Sequence, residues 1–239
     1  MEYLFSALTV IIASFIQTVA GFGMGIFIMA VIPLLLPHNV AILISVSISF
    51  ITTLLIVIKI HHKTDYKAVW VPFIFATAGT IISLLFVKNT SMIIYKRMLG
   101  VFLFLLSIWF TFISEKVKIK PSTKNGVVAG TLSGVFNGLF TLNGPPMVLY
   151  YLAAIDDTDV YRSTSQYYFF LINTVSVISR AATGTLHLEH WKHLLAGALV
   201  IPIGVFIGLK LVDKINKQTI KKIIYIFLAM SGLYIAITG

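Results

Sequence analysis

Apolar residues run through this chain in long blocks, separated by short polar loops. Leu4 to about Ala20 is apolar, a glycine cluster follows, and Ile26 to Leu36 is apolar again. Val40–Ile60, Val69–Val87 and Met98–Ile113 are each long enough to cross a bilayer as a helix. A second broken segment, Gly126 to Ala154, opens the other half. Spans near Tyr161–Ser179, Leu194–Val212 and Ile220–Ile237 complete it. As one straight helix, residues 4–36 would reach about 50 Å at 1.5 Å per residue, against a hydrocarbon core of about 30 Å. Such a segment is either strongly tilted or folded back at its glycines.

The sharper interruption is Asn137-Gly138-Leu139-Phe140-Thr141-Leu142-Asn143-Gly144-Pro145-Pro146. Irregular backbone survives at membrane depth only where protein or a wet cavity surrounds it. Proline in a first helical turn gives up an amide that would be an orphan anyway. Asn143 to Pro146 therefore predicts the start of a second half-helix. Its free end carries about +0.5 of a charge and favours anions. Gln17 to Gly25, with Gly21, Gly23 and Gly25, is a weaker copy. Two breaks, one per half, point to a transporter's binding site.

The halves are related. A shift of 125 residues lays His62 on His187, Lys67 on Lys192, Gly79 on Gly204 and Lys96 on Lys221. The opening segments match with a shift of 121, which brings Gly23 onto Gly144. The reading is duplication: repeat 1 over 1–114, a cytoplasmic linker over 115–125, and repeat 2 over 126–239. Each repeat holds one broken helix (4–36, 126–154) and three spans.

Charge decides the expected topology. If each broken segment crosses once, the 18 Lys and Arg residues divide nine against nine. If each folds back as a hairpin, the division is thirteen against five, the asymmetry of the positive-inside rule. The expected fold is therefore an all-α polytopic membrane protein with two homologous repeats in inverted topology. Each is a broken, re-entrant helix followed by three transmembrane helices.

Composition narrows the function. With 58% hydrophobic and 11% charged residues, there is no room for a soluble catalytic or nucleic-acid-binding module. The net charge of +10 is that of loop lysines rather than of a nucleic-acid surface. Zero cysteines excludes disulfides, thiolate nucleophiles and Cys-ligated metals. All eight acids fall in or beside loops, so no buried carboxylate stands out as a proton carrier or catalytic pair. Nothing suggests an enzyme or a cofactor. Met1-Glu2-Tyr3 lacks the basic region of a signal peptide, so the first apolar run is expected to be retained.

Candidate ligands cluster at the breaks: Gln17, Asn137, Thr141 and Asn143, with the amides around Gly21–Gly25 and Gly144. The bland role for these groups is to cap the broken helices. Gln166 and Asn173 lie seven apart, on one face of the next helix, and either line a path or bond within the bundle. Arg162 either pairs with the acidic turn Asp156-Asp157-Thr158-Asp159 or faces the cytoplasm, or, on a sharper reading, draws anions inward at a mouth. Arg180 is expected to snorkel to the outer interface. His187, His190 and His193 fan over about 120° of a helix, poor geometry for one metal ion. Gly126, Gly130, Gly134 and Gly138 form a smooth stripe, for packing inside the chain or for a homodimer seam.

These residues carry a resemblance. Gln17-Thr18-Val19-Ala20-Gly21-Phe22-Gly23-Met24-Gly25 with Pro33, paired with Gly130-Thr131-Leu132-Ser133-Gly134 running into Asn143-Gly144-Pro145-Pro146, resembles the paired signatures of the TauE/SafE sulfite exporter family. The resemblance covers the whole length. It implies a secondary carrier of small sulfur-containing anions, such as sulfite, sulfoacetate or other organosulfonates, in a prokaryotic inner membrane. The expected partners are the anion and the lipid bilayer. The alternative is a passive anion channel or an accessory membrane subunit.

Overall fold

The computed structural model describes every residue except Glu115, Val117, Lys118, 212–216 and Gly239, and for 217–224 the backbone alone. Part of the expected linker, the end of the span at Val212, and the readings of Asp213 and Lys214 lie outside the described residues. So do the side chains of Lys217, Lys221 and Lys222. Ten α-helices and no strand are found among the described residues. The chain is an all-α polytopic membrane protein.

The helices are α1 (Glu2–Ala20), α2 (Met24–Val31), α3 (His38–Ile60), α4 (Tyr66–Lys88), α5 (Met92–Phe112), α6 (Thr123–Phe140), α7 (Gly144–Ala154), α8 (Thr158–Thr183), α9 (Trp191–Leu211) and α10 (Lys217–Thr238). Both expected breaks are present, between α1 and α2 and between α6 and α7. Tyr66 and Trp191 open α4 and α9 at a spacing of 125 residues, and Met92 and Lys217 open α5 and α10 at the same spacing. Among the described residues, five helical segments are long and apolar enough to cross a bilayer: Glu2–Ala20, His38–Lys63, Tyr66–Lys88, Met92–Phe112 and Leu188–Leu211. The longest helix, α8, is absent from that group because its buried side is polar: Ser163, Thr164, Ser165, Gln166, Asn173, Ser176 and Arg180.

Helix ends follow local chemistry. Ser91 caps α5 by accepting from the Ile94 N–H, and Ser122 caps α6 by accepting from that of Asn125. Asp157 Oδ1 accepts from the N–H groups of Asp159 and Val160, each at 2.9 Å, and so starts α8. Gly184 stops α8 in the left-handed region at φ 72°. Pro72 inside α4 has no N–H for the carbonyl of Ala68. The hydroxyl of fully buried Tyr151, on α7, donates to that carbonyl instead, at 3.3 Å.

The chain forms two compact units. The first holds residues 1–45, 89–118 and 188–239, and the second holds 46–88 and 119–187. Each draws on both halves of the sequence. In the first unit α1 packs on α9, and α5 packs on α10. In the second α6 packs on α4, and α8 also lies against α4.

The seams need small residues. The stripe from Gly126 to Gly138 faces α4 at Pro72, Ala76, Thr80 and Ser83. A Cβ at Gly134 would overlap the Ala76 carbonyl, and one at Gly130 the Pro72 carbonyl. The stripe is thus used for packing within the chain. In the first unit the smooth positions are on α9, where Gly204 meets Ser14 and Ile11 and Gly208 meets Thr18.

Candidate anion site at the helix breaks

The second break is short: Thr141, Leu142 and Asn143. Helix α6 ends as the Thr141 N–H donates to the Asn137 carbonyl at 2.8 Å, with Thr141 in the left-handed region at φ 63°. Thr141 is the one non-glycine residue with positive φ among those described. A β-branched side chain there costs about 1–2 kcal/mol, which the surroundings must offset. Asn143 occupies the cap position of α7 but makes no side-chain cap bond. Its amide turns aside and donates to Asn173 Oδ1 on α8 at 2.7 Å. Pro145 and Pro146 bring no N–H of their own, so the open end of α7 presents fewer amides than an ordinary helix start.

Helix α8 ties this break in place. Asn173 holds Asn143 on one side and donates to Thr53 Oγ1 on the other, at 3.4 Å. The Tyr168 hydroxyl donates to Ser133 Oγ at 2.9 Å, and Ser133 in turn donates to the Asn143 carbonyl at 2.6 Å. Arg180 does not snorkel. It is 1% exposed, and its Nη2 donates to the carbonyls of Gly138 at 2.8 Å and Asn137 at 3.2 Å. A cation on the last carbonyls of α6 complements the negative end of that helix dipole. Burying a permanent charge is costly without such compensation.

Sequence reasoning placed Gln166 and Asn173 on one face, and both are buried. It missed that Arg180 continues the same stripe. Seven residues advance a helix by nearly two turns, drifting about 20° per step. Arg180 follows Asn173 by the spacing at which Asn173 follows Gln166, so the signal was present. Asn137 is buried as well, and its Nδ2 donates to Thr80 Oγ1 at 3.3 Å.

The first break is closed from within its own segment. Gly21 and Gly23 take left-handed conformations at φ 81° and 106°. Gln17 spans the gap, its Oε1 accepting from the Met24 N–H at 3.4 Å and its Nε2 donating to the Gly21 carbonyl at 3.3 Å. Its amide thus does the capping work of both half-helices. Gly25 lies one residue inside α2, half-buried.

Arg162 is exposed near the start of α8. Among the described residues, Lys63 forms an ion pair with Asp159 of the acidic turn, at 2.5 Å, and the Arg162 charge also acts on that carboxyl. That hydrogen bond and charge hold the exposed Asp159 carboxyl below its ordinary range. In the first unit His193 is buried beside Ser6, with Nδ1 2.9 Å from Ser6 Oγ, and its ring lies 4.6 Å from that of Tyr3.

A family model, sulfite exporter TauE/SafE, matches residues 6–235. The chain belongs to that family. It is an integral membrane protein of a family of transporters that export sulfite and related anions. Searches of curated proteins and of solved structures returned no match. The family match spans both helix breaks and every span that connects them.

Proposed function

We propose that this TauE/SafE protein is a secondary carrier of small sulfur-containing anions, sulfite or an organosulfonate, working by alternating access between two inverted repeats. The observation that carries the reading is the second break. There the cap residue Asn143 leaves the end of α7 without a side-chain cap and is held by Asn173 instead. A sulfonate is a compact anion with three acceptor oxygens. It suits converging N–H and O–H donors, which count for more in a low-dielectric surrounding. Asn143, Asn173, Gln166, Thr141, Asn137 and the Gly144 amide are the donors proposed for it. The site is proposed at this break, where Asn143, Asn173 and Asn137, like Gln17 at the first one, already bond within the protein and exchange those bonds for the oxygens of the anion.

Energy for transport comes from gradients or the membrane potential, since no phosphate-binding loop is present in the sequence. An inside-negative potential drives an anion outward with about 2.3 kcal/mol per charge per 100 mV. That favours export, from the inner membrane of a prokaryotic cell. Arg162, exposed beside the acidic turn, is proposed to attract the anion to the entrance.

The test is thermal stability of the purified protein with sulfite, sulfate, thiosulfate, sulfoacetate, taurine and chloride. A ligand bound only by the native state raises stability by RT ln(1 + [L]/Kd). The expected result is a selective rise with one sulfur oxyanion or sulfonate, lost in Asn143→Ala. A rise with none of them, while an unrelated solute stabilises, would sink the reading. Saturable exchange of labelled substrate across proteoliposomes distinguishes this carrier from a passive channel.

A further inference from the structure

We propose that the Ser176 hydroxyl is a direct donor to the oxyanion at the second break. The proposal rests on the carrier reading above and adds to that site a residue outside the amides named for it. Ser176 is 1% exposed, and its Oγ has no hydrogen-bond partner among the described residues. It lies on α8 between two residues that bracket the break. Asn173, one turn earlier, accepts from the Asn143 amide at the head of α7. Arg180, one turn later, donates to the Asn137 and Gly138 carbonyls at the tail of α6. At about 100° and 1.5 Å per residue the three share an arc of about 60°, with Ser176 about 4.5 Å along the axis from Asn173. Its level on α8 is therefore that of the interruption itself.

A helix hydroxyl can give its proton to a carbonyl of the preceding turn. Thr174 and Thr183 do so on this same helix, to the carbonyls of Phe170 and Ser179, each at 2.8 Å. Ser176 does not. A buried O–H left without an acceptor is costly, and a bound acceptor removes that cost. The oxygens around the break favour an anion over a cation. The Asn143 carbonyl accepts from Ser133, Asn173 Oδ1 from Asn143, and the α6 carbonyls from Arg180. A hard cation needs a shell of such oxygens. A sulfite or sulfonate oxygen needs donors, and the Ser176 proton is unspent where the amides must first exchange a bond. A hydrogen bond to an ionised acceptor in a low-dielectric surrounding is among the stronger ones.

The test is the concentration dependence of the thermal shift of the full chain in detergent. The probes are sulfite, sulfoacetate and chloride as N-methylglucamine salts, and sodium gluconate for a cation. Ser176→Ala removes the hydroxyl with little change of shape. It is expected to weaken the sulfur oxyanion about tenfold, with a ligand-free melting temperature equal to or above that of the unsubstituted protein, since no internal bond is lost. Thr174→Val removes a hydroxyl that bonds its own helix, and is expected to leave the affinity unchanged. An equal loss of affinity in Thr174→Val overturns the proposal. If Ser176→Ala does not fold, Ser176→Cys, of similar shape with only a weak S–H donor, decides by the same readout. An oxyanion affinity unchanged in the Ser176 variant overturns this inference alone, whatever the ligand-free melting temperature. A shift with sodium gluconate that is lost in that variant assigns the hydroxyl to a cation and overturns the proposal. A shift given equally by chloride and lost in that variant overturns the oxyanion assignment. No shift with any anion in the unsubstituted protein overturns the carrier reading and this inference together.

Discussion

The two breaks, one between α1 and α2 and one between α6 and α7, are held in opposite ways. At the first, everything needed is local: two left-handed glycines and one glutamine four residues upstream that reaches both half-helices. At the second, the turn contains a strained threonine and an asparagine that leaves its capping post. The holding groups come from α8, between 30 and 43 residues away in sequence. A locally closed break uses up its polar groups on itself. A break held from outside takes its holding groups from a distant part of the chain, and its cap residue makes no side-chain cap bond. The difference teaches that a similar interruption can be closed by its own residues or tied down by a distant helix.

The contrast can be broken at either side. Gln17→Leu strips partners from the Met24 N–H and the Gly21 carbonyl at once, and is expected to cost about 2 kcal/mol in thermal stability. Transport by the protein that remains folded should be nearly unchanged. A variant of full stability that no longer transports would instead make Gln17 a ligand. Asn173→Leu is expected to do the reverse. It frees the Asn143 amide to swing back onto the end of α7, and lowers transport about tenfold, equivalent to 1.4 kcal/mol. Uptake into proteoliposomes at matched protein amounts measures this, and undiminished uptake removes Asn173 from the site. The smallest effect belongs to Gly21→Ala. A Cβ at Gly21 meets nothing within 4 Å, so its cost comes from backbone conformation alone, about 1 kcal/mol. An unchanged melting temperature would mean that the glycines do not set the first break.

Much of this was legible before any coordinates. The apolar blocks gave the spans to within a few residues, because a helix in lipid must satisfy its backbone internally and its length is set by the bilayer. Both breaks stood where glycine and proline placed them. Gln17 was weighed both as a cap and as a ligand, and its amide bonds to both sides of the first break. Arg180 was misjudged for a physical reason. A long cationic side chain near a predicted span end ordinarily reaches for water. Only the packed neighbours show that the α6 carbonyls are within its reach. The glycine stripe announced a close contact, but a stripe does not name its partner. That α6 meets α4, from the other half of the sequence, is a property of the packing.

The sequence by itself determined the class of the molecule, its helices and the places where two of them break. Those follow from composition and from the local preferences of glycine, proline and hydroxyl or amide caps, which need no distant partner. Only the tertiary structure decided which break is held from a distant helix, which side chains hold it, and that a buried arginine stands on its carbonyl side. Those depend on residues far apart in the chain meeting across helix seams, where the fit of one surface to another, rather than the preference of any residue, sets the outcome.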